Sequence, residues 1–451
     1  MNLTKKEGKM MGLFTFKGGI HPYDGKELSK EKAITPYLPK GDLVYPLSQH
    51  IGAPAIPVVK KGERVLVGQL IAEAGGFISA NIHSSVSGTV KAIESRMTIS
   101  GAKVEAIIVE NDGTYEEIDF QANVKSLEQM TKDEIRTAIK NAGIVGQGGA
   151  GFPTNVKLSP QNEKEIDRIV VNCAECEPYI TCDYRRMIEE PEKLVAGLKV
   201  ILTLFPKAQG IFGVEDNKLD AAKKLDEAIK KVGESRMEVK LLKTKYPQGA
   251  ERQLIFAATG RAINSSMLPA QANCVVQNVE TVMSIYRAIY EGKPIYERPI
   301  TITGDAVKES ANFLVRTGTN SKELIEAVGG FIEEPEKIIS GGPMMGMALS
   351  TLDVPCTKTS SALLCFKKDP VAEVEESACI NCGRCVNVCP SRLVPSRMAD
   401  FAKHGAIERF EQYYGVECCE CGSCSFVCPA KRHLAQAIKT MRKTVLANRR
   451  K

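Results

Sequence analysis

A repeated cysteine run restricts this chain more than any other feature. Residues 379–390 read CINCGRCVNVCP and residues 418–429 read CCECGSCSFVCP. Each run spaces four cysteines as C-x2-C-x2-C-x3-C-P: Cys379, Cys382, Cys385 and Cys389 before Pro390, then Cys418, Cys421, Cys424 and Cys428 before Pro429. Three thiolates at three-residue steps in a tight loop hold three irons of one [4Fe–4S] cubane. The cubane is too wide for the same loop to supply the fourth ligand. The spacing is that of paired clusters in which the fourth cysteine of each run ligates the other cluster. It predicts one cluster on Cys379, Cys382, Cys385 and Cys428, and a second on Cys418, Cys421, Cys424 and Cys389. Structural zinc sites favour two short cysteine pairs joined by a longer loop, which this pattern lacks. Cys419 has no place in the spacing and reads as a spare thiol.

The rest of the composition agrees with intracellular redox work. Fifteen cysteines follow an N-terminus, MNLTKKEGKMMGLFTF, that lacks the apolar core and cleavage site of a secretory leader. Metal or redox chemistry is therefore expected in place of disulfides. No run of about 18 apolar residues exists to span a bilayer. The net charge of +6 is mild and diffuse, so nucleic acid is not an expected partner. At 451 residues the chain is too long for a single core.

Turn and periodicity signals divide it. Residues 1–39 read as an extended arm full of turn signals. Residues 40–118 alternate short β-like runs with glycine turns, and KKGERVLVGQLIAEA…SSVSGTV resembles the biotinyl/lipoyl barrel-sandwich family. Carriers of that family hold their cofactor on a hairpin lysine; the corresponding stretch here, GGFISANIHSS, has none, so a scaffold is expected. His50 and His83 read as satisfied polar side chains. Residues 125–300 alternate helices with apolar runs, the pattern of α/β with a largely parallel sheet. Residues 301–355 read as a small α+β unit, and 366–451 as a helical module around the clusters. The tail carries eight Lys or Arg and no acid from Lys431 onward. It reads either as a helix on an acidic partner or anionic membrane surface, or as a solvated helix.

Residues 146–151, GQGGAG, fit the dinucleotide fingerprint G-x-G-x-x-G at Gly146, Gly148 and Gly151. The fingerprint requires a strand before it and a helix straight after. Here the preceding TKDEIRTAIKNAGI has a helical period, with Thr131 as cap and Gly143 as stop, and Phe152-Pro153 delays any following helix. The context is wrong for a standard Rossmann turn.

Four stretches, GQGGAGFPTNVK, VVNCAECEPY, KYPQGAERQLI and QNVETV, together resemble the flavin- and NADH-binding subunit of respiratory complex I and its relatives. With the lipoyl-like region before them and the two ferredoxin-type runs after, the order along the chain resembles the C subunit of the Rnf complexes. These are ion-translocating ferredoxin:NAD oxidoreductases of prokaryotic membranes. The resemblance implies a multidomain α/β plus α+β fold. Its parts are a barrel-sandwich domain, a complex I flavin-subunit-like α/β domain, a small β-grasp-like (soluble-ligand-binding) domain and a helical two-cluster ferredoxin domain.

It also implies site roles. Gly146, Gly148 and Gly149 bring backbone close to FMN phosphate and nucleotide, Phe152 stacks on a ring of NADH, and Lys157 offers a cation. Asn172, Glu175 and Glu177 hold flavin and nicotinamide at the end of a strand. Tyr246, Gly249 and Glu251 form a flavin-facing loop, and Asn278 with Thr281 closes the pocket. Glu177 and Lys157 are the catalytic candidates. Departures are Ala250 before Glu251, where the relatives carry two acids, and Gln277-Asn278, where they carry two asparagines. Cys173-x2-Cys176 reads as packed small residues or as a redox pair. The implied cofactors are FMN, NAD(H) and two [4Fe–4S] clusters. The implied partners are the membrane and iron–sulfur subunits of the complex, with ferredoxin reached through one of them, and the implied place is the cytoplasmic face of the membrane. Two alternatives share these features: a flavin and iron–sulfur cobalamin reductase, and a non-catalytic ferredoxin-like relay.

Overall fold

The computed structural model describes residues 5–6, 9–10, 13–122 and 124–449, the first four in backbone only. Much of the stretch read for a secretory leader, which opens the 1–39 arm, lies outside the described residues, as do Arg450 and Lys451 of the basic tail.

A four-stranded parallel sheet lies at the centre, in the order Met237–Leu242, Gln209–Glu215, Arg168–Cys173, Cys274–Asn278. Parallel sheets are covered on both faces, so their strands read as near-continuous apolar runs. In RIVVNC, Ile169, Val171 and Cys173 join one core with Leu198 and Ile201 of the helix Pro191–Leu204 and Val282 of the helix Val279–Tyr290. Val170 points the other way, to Leu254 and Ile255 of the helix Glu251–Thr259, as the period of two demands. The helix Lys132–Asn141 precedes the glycine run. Its Thr131 cap accepts Glu134 N–H at 3.2 Å while Glu134 accepts Thr131 N–H at 2.8 Å, a reciprocal box. Gly143, at φ +63°, ends the helix as a left-handed glycine does. The next helix, Thr154–Lys157, opens only after Pro153.

Two antiparallel sheets precede this domain. One orders Leu43–Pro46, Lys103–Asn111, Gly88–Met97, Arg64–Val65, and the other Ile56–Pro57, Leu70–Glu73, Ile82–His83. Leu43, Tyr45, Val65, Ile71, Ile82 and Ile107 fill the space between them. Of the two histidines, His50 accepts Ala80 N–H at 2.6 Å, and burial pushes it down to about 4. His83 is also buried, and its Nδ1 has no partner.

The α+β unit reaches beyond 301–355. Its six-stranded sheet orders Met347–Ala348, Lys337–Ser340, Ala362–Phe366, Glu297–Thr303, Ala311–Arg316, Ile34–Tyr37. The last strand comes from the N-terminal arm and runs parallel to Ala311–Arg316, covering a sheet edge that would otherwise expose unpaired backbone.

In the cluster module the helices Pro395–Lys403 and Ile407–Gln412 turn at Gly405. The helix Leu434–Asn448 closes over them, with Leu434, Ile438, Met441 and Val445 packed in one core with Met398, Ala399 and Phe410. The basic tail therefore buries an apolar stripe in its own module, and Arg442 meets Glu420 at 2.8 Å. The wholly solvated reading does not describe it, because spacing of one apolar residue per turn hides a buried stripe among lysines and arginines.

Residues 13–20 form a strap between the central sheet and this module. Lys243 N–H donates to Phe14 O at 2.9 Å, Ile20 and Tyr246 exchange backbone hydrogen bonds of 2.8 and 2.9 Å, and Gly19 N–H reaches Val388 O at 2.8 Å. Gly18 has φ +82°, and a Cβ there would lie 2.8 Å from Cys389 O. Gly18→Ala should therefore destabilise the docked module by roughly 1–3 kcal/mol. The control is Gly62→Ala, whose φ is +86° but whose Cβ would meet nothing within 4 Å. Thermal melting followed by visible cluster absorbance should show the larger drop for Gly18→Ala; equal drops refute the strap.

Candidate cofactor and cluster sites

Open parallel sheets bind ligands beyond the carboxyl ends of their strands, and the residues singled out from the sequence collect there. The glycine loop rests on the end of Cys274–Asn278. Gln147 N–H donates to Thr281 Oγ1 at 3.0 Å, and Gly146 N–H to Phe152 O at 2.9 Å. Gln147 also donates its amide to Glu280 O and Ser284 Oγ, while Arg298, 2 % exposed, donates to Gln147 O. A Cβ on Gly148 would press to 2.9 Å from Asn278 Nδ2, whereas one on Gly149 would meet open space. Gly148 and Gly149 are exposed and Phe152 is half-buried. The loop is thus anchored from below and open above.

Asn172 donates to Gly249 O at 2.8 Å, and Gly249 N–H donates to Cys176 Sγ at 3.2 Å. Lys157 and Glu251 pair at 2.7 Å. Asn278 donates to Asp183 at 2.7 Å and caps its helix by accepting Glu280 N–H at 2.9 Å. Arg186 neutralises the buried Glu280 at 2.6 Å.

The two acids of CAECEPY diverge. Glu175, at φ +45°, turns to the N-terminus of the helix Cys182–Glu189, where it accepts Asp183 N–H at 2.7 Å and Tyr184 N–H at 3.3 Å. Its oxygens are spent on backbone, with Lys26 at 3.9 Å, yet burial still raises its carboxyl to about 7. Glu177 accepts Met344 N–H at 3.0 Å through one oxygen, and its other oxygen is buried without a partner. Burial raises the Glu177 carboxyl to about 7, and burial with the neighbouring Glu280 charge raises Asp183 to about 6. Two lysines hold the loop that carries these acids. Lys26 donates to Glu177 O at 3.0 Å and Ile180 O at 2.5 Å, and Lys218 donates to Ala174 O at 2.7 Å.

Buried polar groups normally find partners, and exceptions mark missing ligands or water. Several exceptions gather at this edge: both amide atoms of Gln248, which is fully buried, the Tyr246 hydroxyl, Glu177 Oε1 and Gln277 Nε2. Close beside them, a Cβ on Gly249 would lie 3.3 Å from Asn172 and Cys176, so any side chain there would crowd the cleft. Unpaired donors and acceptors beside a side-chain-free backbone suit a planar polar ring such as flavin, and the residues present fit FMN. Gln248 escaped the sequence reading: it lies inside the quoted KYPQGAE, but a single glutamine carries no spacing signal. Lys26 and Lys218 escaped because they come from distant segments.

The cysteines divide between two hollows. Cys379, Cys382, Cys385 and Cys428 line one, and Cys389, Cys418, Cys421 and Cys424 line the other. Each fourth cysteine therefore stands with the opposite run, and each hollow offers the four thiolates that a cubane takes. The two loops repeat their backbone as well as their spacing. Asn381 and Gly383, and likewise Glu420 and Gly422, are left-handed, and Arg392 and Lys431 follow suit three residues after the fourth cysteine. Cys389 Sγ accepts Leu393 N–H and Cys418 Sγ accepts Glu420 N–H, both at 3.3 Å, the kind of bond that tunes cluster potential. The hollows differ in exposure. Cys382 is open to solvent, whereas Cys421 is 7 % and Cys424 8 % exposed. Cys421 packs with Ile20 and Tyr246, joined by Cys176, Met344 and Cys419, so the second hollow abuts the Tyr246–Gly249 loop. Cys419 also lines it.

A stability prediction follows from the raised acids. Unfolded carboxyls titrate near pH 4, so between about pH 4.5 and 7 the folded chain holds more protons than the unfolded one, and stability falls as pH rises. Glu177→Gln removes that contribution and should flatten the fall by roughly 3 kcal/mol. Denaturant unfolding of the flavin-free chain at about pH 5 and about pH 8 is the check; a pH dependence equal to wild type refutes it.

Comparison with known proteins agrees with this division. The family model of the RnfC barrel sandwich hybrid domain matches residues 14–114, the Nuo51 FMN-binding domain 139–287, the SLBB domain 299–348, and the 4Fe-4S dicluster domain 378–433. The C subunit of the Na(+)-translocating ferredoxin:NAD(+) oxidoreductase complex of Acetobacterium woodii is 45% identical over 97% of this chain and 98% of its own length. The C subunit of the proton-translocating ferredoxin:NAD(+) oxidoreductase complex of Clostridium ljungdahlii is 46% identical over 95% of this chain and 94% of its own. Among solved structures, a chain of an NAD+-reducing [NiFe]-hydrogenase in the air-oxidized state superposes with a TM-score of 0.49 at 20% identity, over 64% of this chain and 57% of that one. On the full-length identity and the four matched domains, the chain belongs to the RnfC family, the C subunits of the ion-translocating ferredoxin:NAD(+) oxidoreductase, or Rnf, complexes.

Proposed function

We propose that this chain is the peripheral subunit through which an ion-translocating ferredoxin:NAD oxidoreductase of the membrane exchanges electrons with NAD(H). The observation that carries this reading is the contact of a four-cysteine hollow, through Cys421, with Tyr246 at the carboxyl edge of the parallel sheet. Bound at that edge, FMN supplies the exchange between the two-electron hydride of NAD(H) and the single electrons that cubanes accept. The site residues are assigned as follows. Gly148 and Gly149 present backbone to phosphate and Phe152 flanks the nucleotide, while Gly146 and the buried Thr281 brace the loop from below. Asn172, Gly249 and Asn278 shape the flavin cleft. Gln248 offers a buried donor and acceptor, and Tyr246 closes the cluster side. Glu177, with a carboxyl near half-protonated at neutral pH, holds or releases a proton at Oε1, while Glu175 fixes the loop that carries it. Lys157, freed from Glu251, meets phosphate. The eight paired-run cysteines hold two [4Fe–4S] clusters in the two sets already described.

No helix among the described residues is long and apolar enough to cross a membrane. This reading places the chain on the cytoplasmic face, with the ion path in membrane-embedded partner subunits, and with ferredoxin served through an iron–sulfur partner. The domains are assigned as arm 1–39, barrel sandwich 40–118, flavin domain 125–300, β-grasp-like domain 301–355 extended by the strands Ile34–Tyr37, Glu297–Thr303 and Ala362–Phe366, and cluster module 366–451.

The metal-replete chain should bind one flavin and about eight irons and reduce an artificial acceptor with NADH. Glu177→Ala should lower its kcat/KM by about 10- to 100-fold, and Lys157→Ala should act mainly by raising KM. Wild-type NADH oxidation in both variants would favour the non-catalytic relay. Gln248→Leu should weaken FMN about tenfold, the size of one buried hydrogen bond, measured by flavin fluorescence titration.

A further inference from the structure

Glu417 directly precedes the cluster ligand Cys418, yet its side chain leaves the cysteine loop for the central domain. It accepts Ser265 N–H at 2.7 Å, Ser265 Oγ at 2.6 Å and Arg252 Nη1 at 3.1 Å. The same Arg252 nitrogen donates to Glu417 O at 3.2 Å. The two side chains are 21 % and 25 % exposed, so the pair is shielded and charge-assisted, unlike an open surface ion pair. Arg252 follows Glu251, which takes Lys157. Consecutive residues of one helix turn thus reach in two directions, one to the glycine-loop side and one to the second cysteine run. Elsewhere this seam is the apolar cluster of Ile20, Tyr246 and Cys421 and the single strap bond from Gly19 to Val388. Apolar contact is non-directional, so the polar clasp sets orientation.

We propose that Glu417 is a positioning residue for electron passage, fixing the cluster of Cys389, Cys418, Cys421 and Cys424 at its distance from the Tyr246–Gly249 cleft. The inference rests on reading that cleft as the flavin site. For each NADH oxidised to NAD+ and a proton, two electrons cross this seam one at a time, and no bond to Glu417 forms or breaks. Electron tunnelling decays steeply with separation, so a loosened seam slows the crossing while leaving the ligands of both cofactors in place.

The test uses the full chain loaded with flavin and iron. E417Q keeps the side-chain size and removes the charge; R252Q/S265A removes the other half of the clasp and leaves the cysteine loop untouched. In both, NADH-driven bleaching of cluster absorbance in stopped flow should slow by about tenfold, an activation cost near 1.4 kcal/mol. Flavin reduction by NADH, ferricyanide reduction, and iron and flavin content should stay at wild-type values. Hydrogen exchange, a readout independent of turnover, should rise at residues 264–266 and 415–422, and E417D should restore part of the bleaching rate. Wild-type bleaching in both variants overturns the proposal. If E417Q loses iron, R252Q/S265A decides alone: slow bleaching with full iron supports the clasp, and a wild-type rate overturns it. A wild-type chain that holds flavin and iron yet shows no NADH-driven bleaching overturns the proposed function instead.

Discussion

Ile20, Tyr246 and Cys421 share one small buried cluster, and the layout of the chain answers to that contact. A cysteine loop must wrap its own cluster, and a parallel sheet must keep its carboxyl edge open for ligand. Neither can supply much surface to the other. The N-terminal strap supplies it: Gly18 fits against Cys389 O and Gly19 against Tyr246 O, each at 2.8 Å from where a Cβ would be. Only residues without side chains let three backbones converge there. The same arm then delivers Lys26 beneath the Glu177 loop and the strand Ile34–Tyr37 to the far sheet. One segment thus ties together the three units that meet at the cleft.

Buried charge is handled in two ways around this cleft. Arg186 and Glu280, and Lys218 and Glu215, are paired at 2.6 and 3.1 Å, the condition under which ions are tolerated in a low-dielectric interior. Glu177 has only a backbone N–H for one oxygen and nothing for the other, so burial moves its proton affinity toward neutrality. A protein that invests in pairing its structural ions and leaves one carboxyl half-satisfied at a ligand-binding edge marks that carboxyl as a functional candidate.

The legible parts of the sequence were those carried by spacing. The cysteine runs, the apolar strands of the parallel sheet, and the Thr131 cap with its Gly143 stop each state their geometry in a few consecutive letters. The glycine run was legible as something other than a Rossmann turn, because helix came before it and Phe152-Pro153 after. What stayed hidden depends on contacts between distant segments. Glu175 and Glu177 stand two residues apart in one motif, yet the left-handed turn at Glu175 sends one to a helix end and the other to Met344. Nothing local distinguishes them. The strand Ile34–Tyr37 was invisible for the same reason, since its partner lies almost 280 residues away at Ala311–Arg316.

The N-terminal barrel shows how a hairpin without a lysine, pinned by a buried lysine from another segment, can serve as a scaffold. A carrier hairpin must be exposed and free to swing. Here the hairpin lies against the base of the glycine loop: a Cβ on Gly143 would collide with Asn81 O, and one on Gly151 would meet His50 Cα at 3.1 Å. Lys358, 2 % exposed, donates to both Asn81 O and Gly143 O, and burial pulls its ammonium down to about 7. Immobilising a lysine this way costs side-chain entropy and desolvation, which is reasonable only where rigidity is needed. On the proposed reading the glycine loop has that need, because its exposed Gly148 and Gly149 have no side chains of their own to brace them, and backbone amides bind phosphate only when held in fixed orientation. On the proposed reading of that loop, the barrel forms the back wall of the nucleotide site.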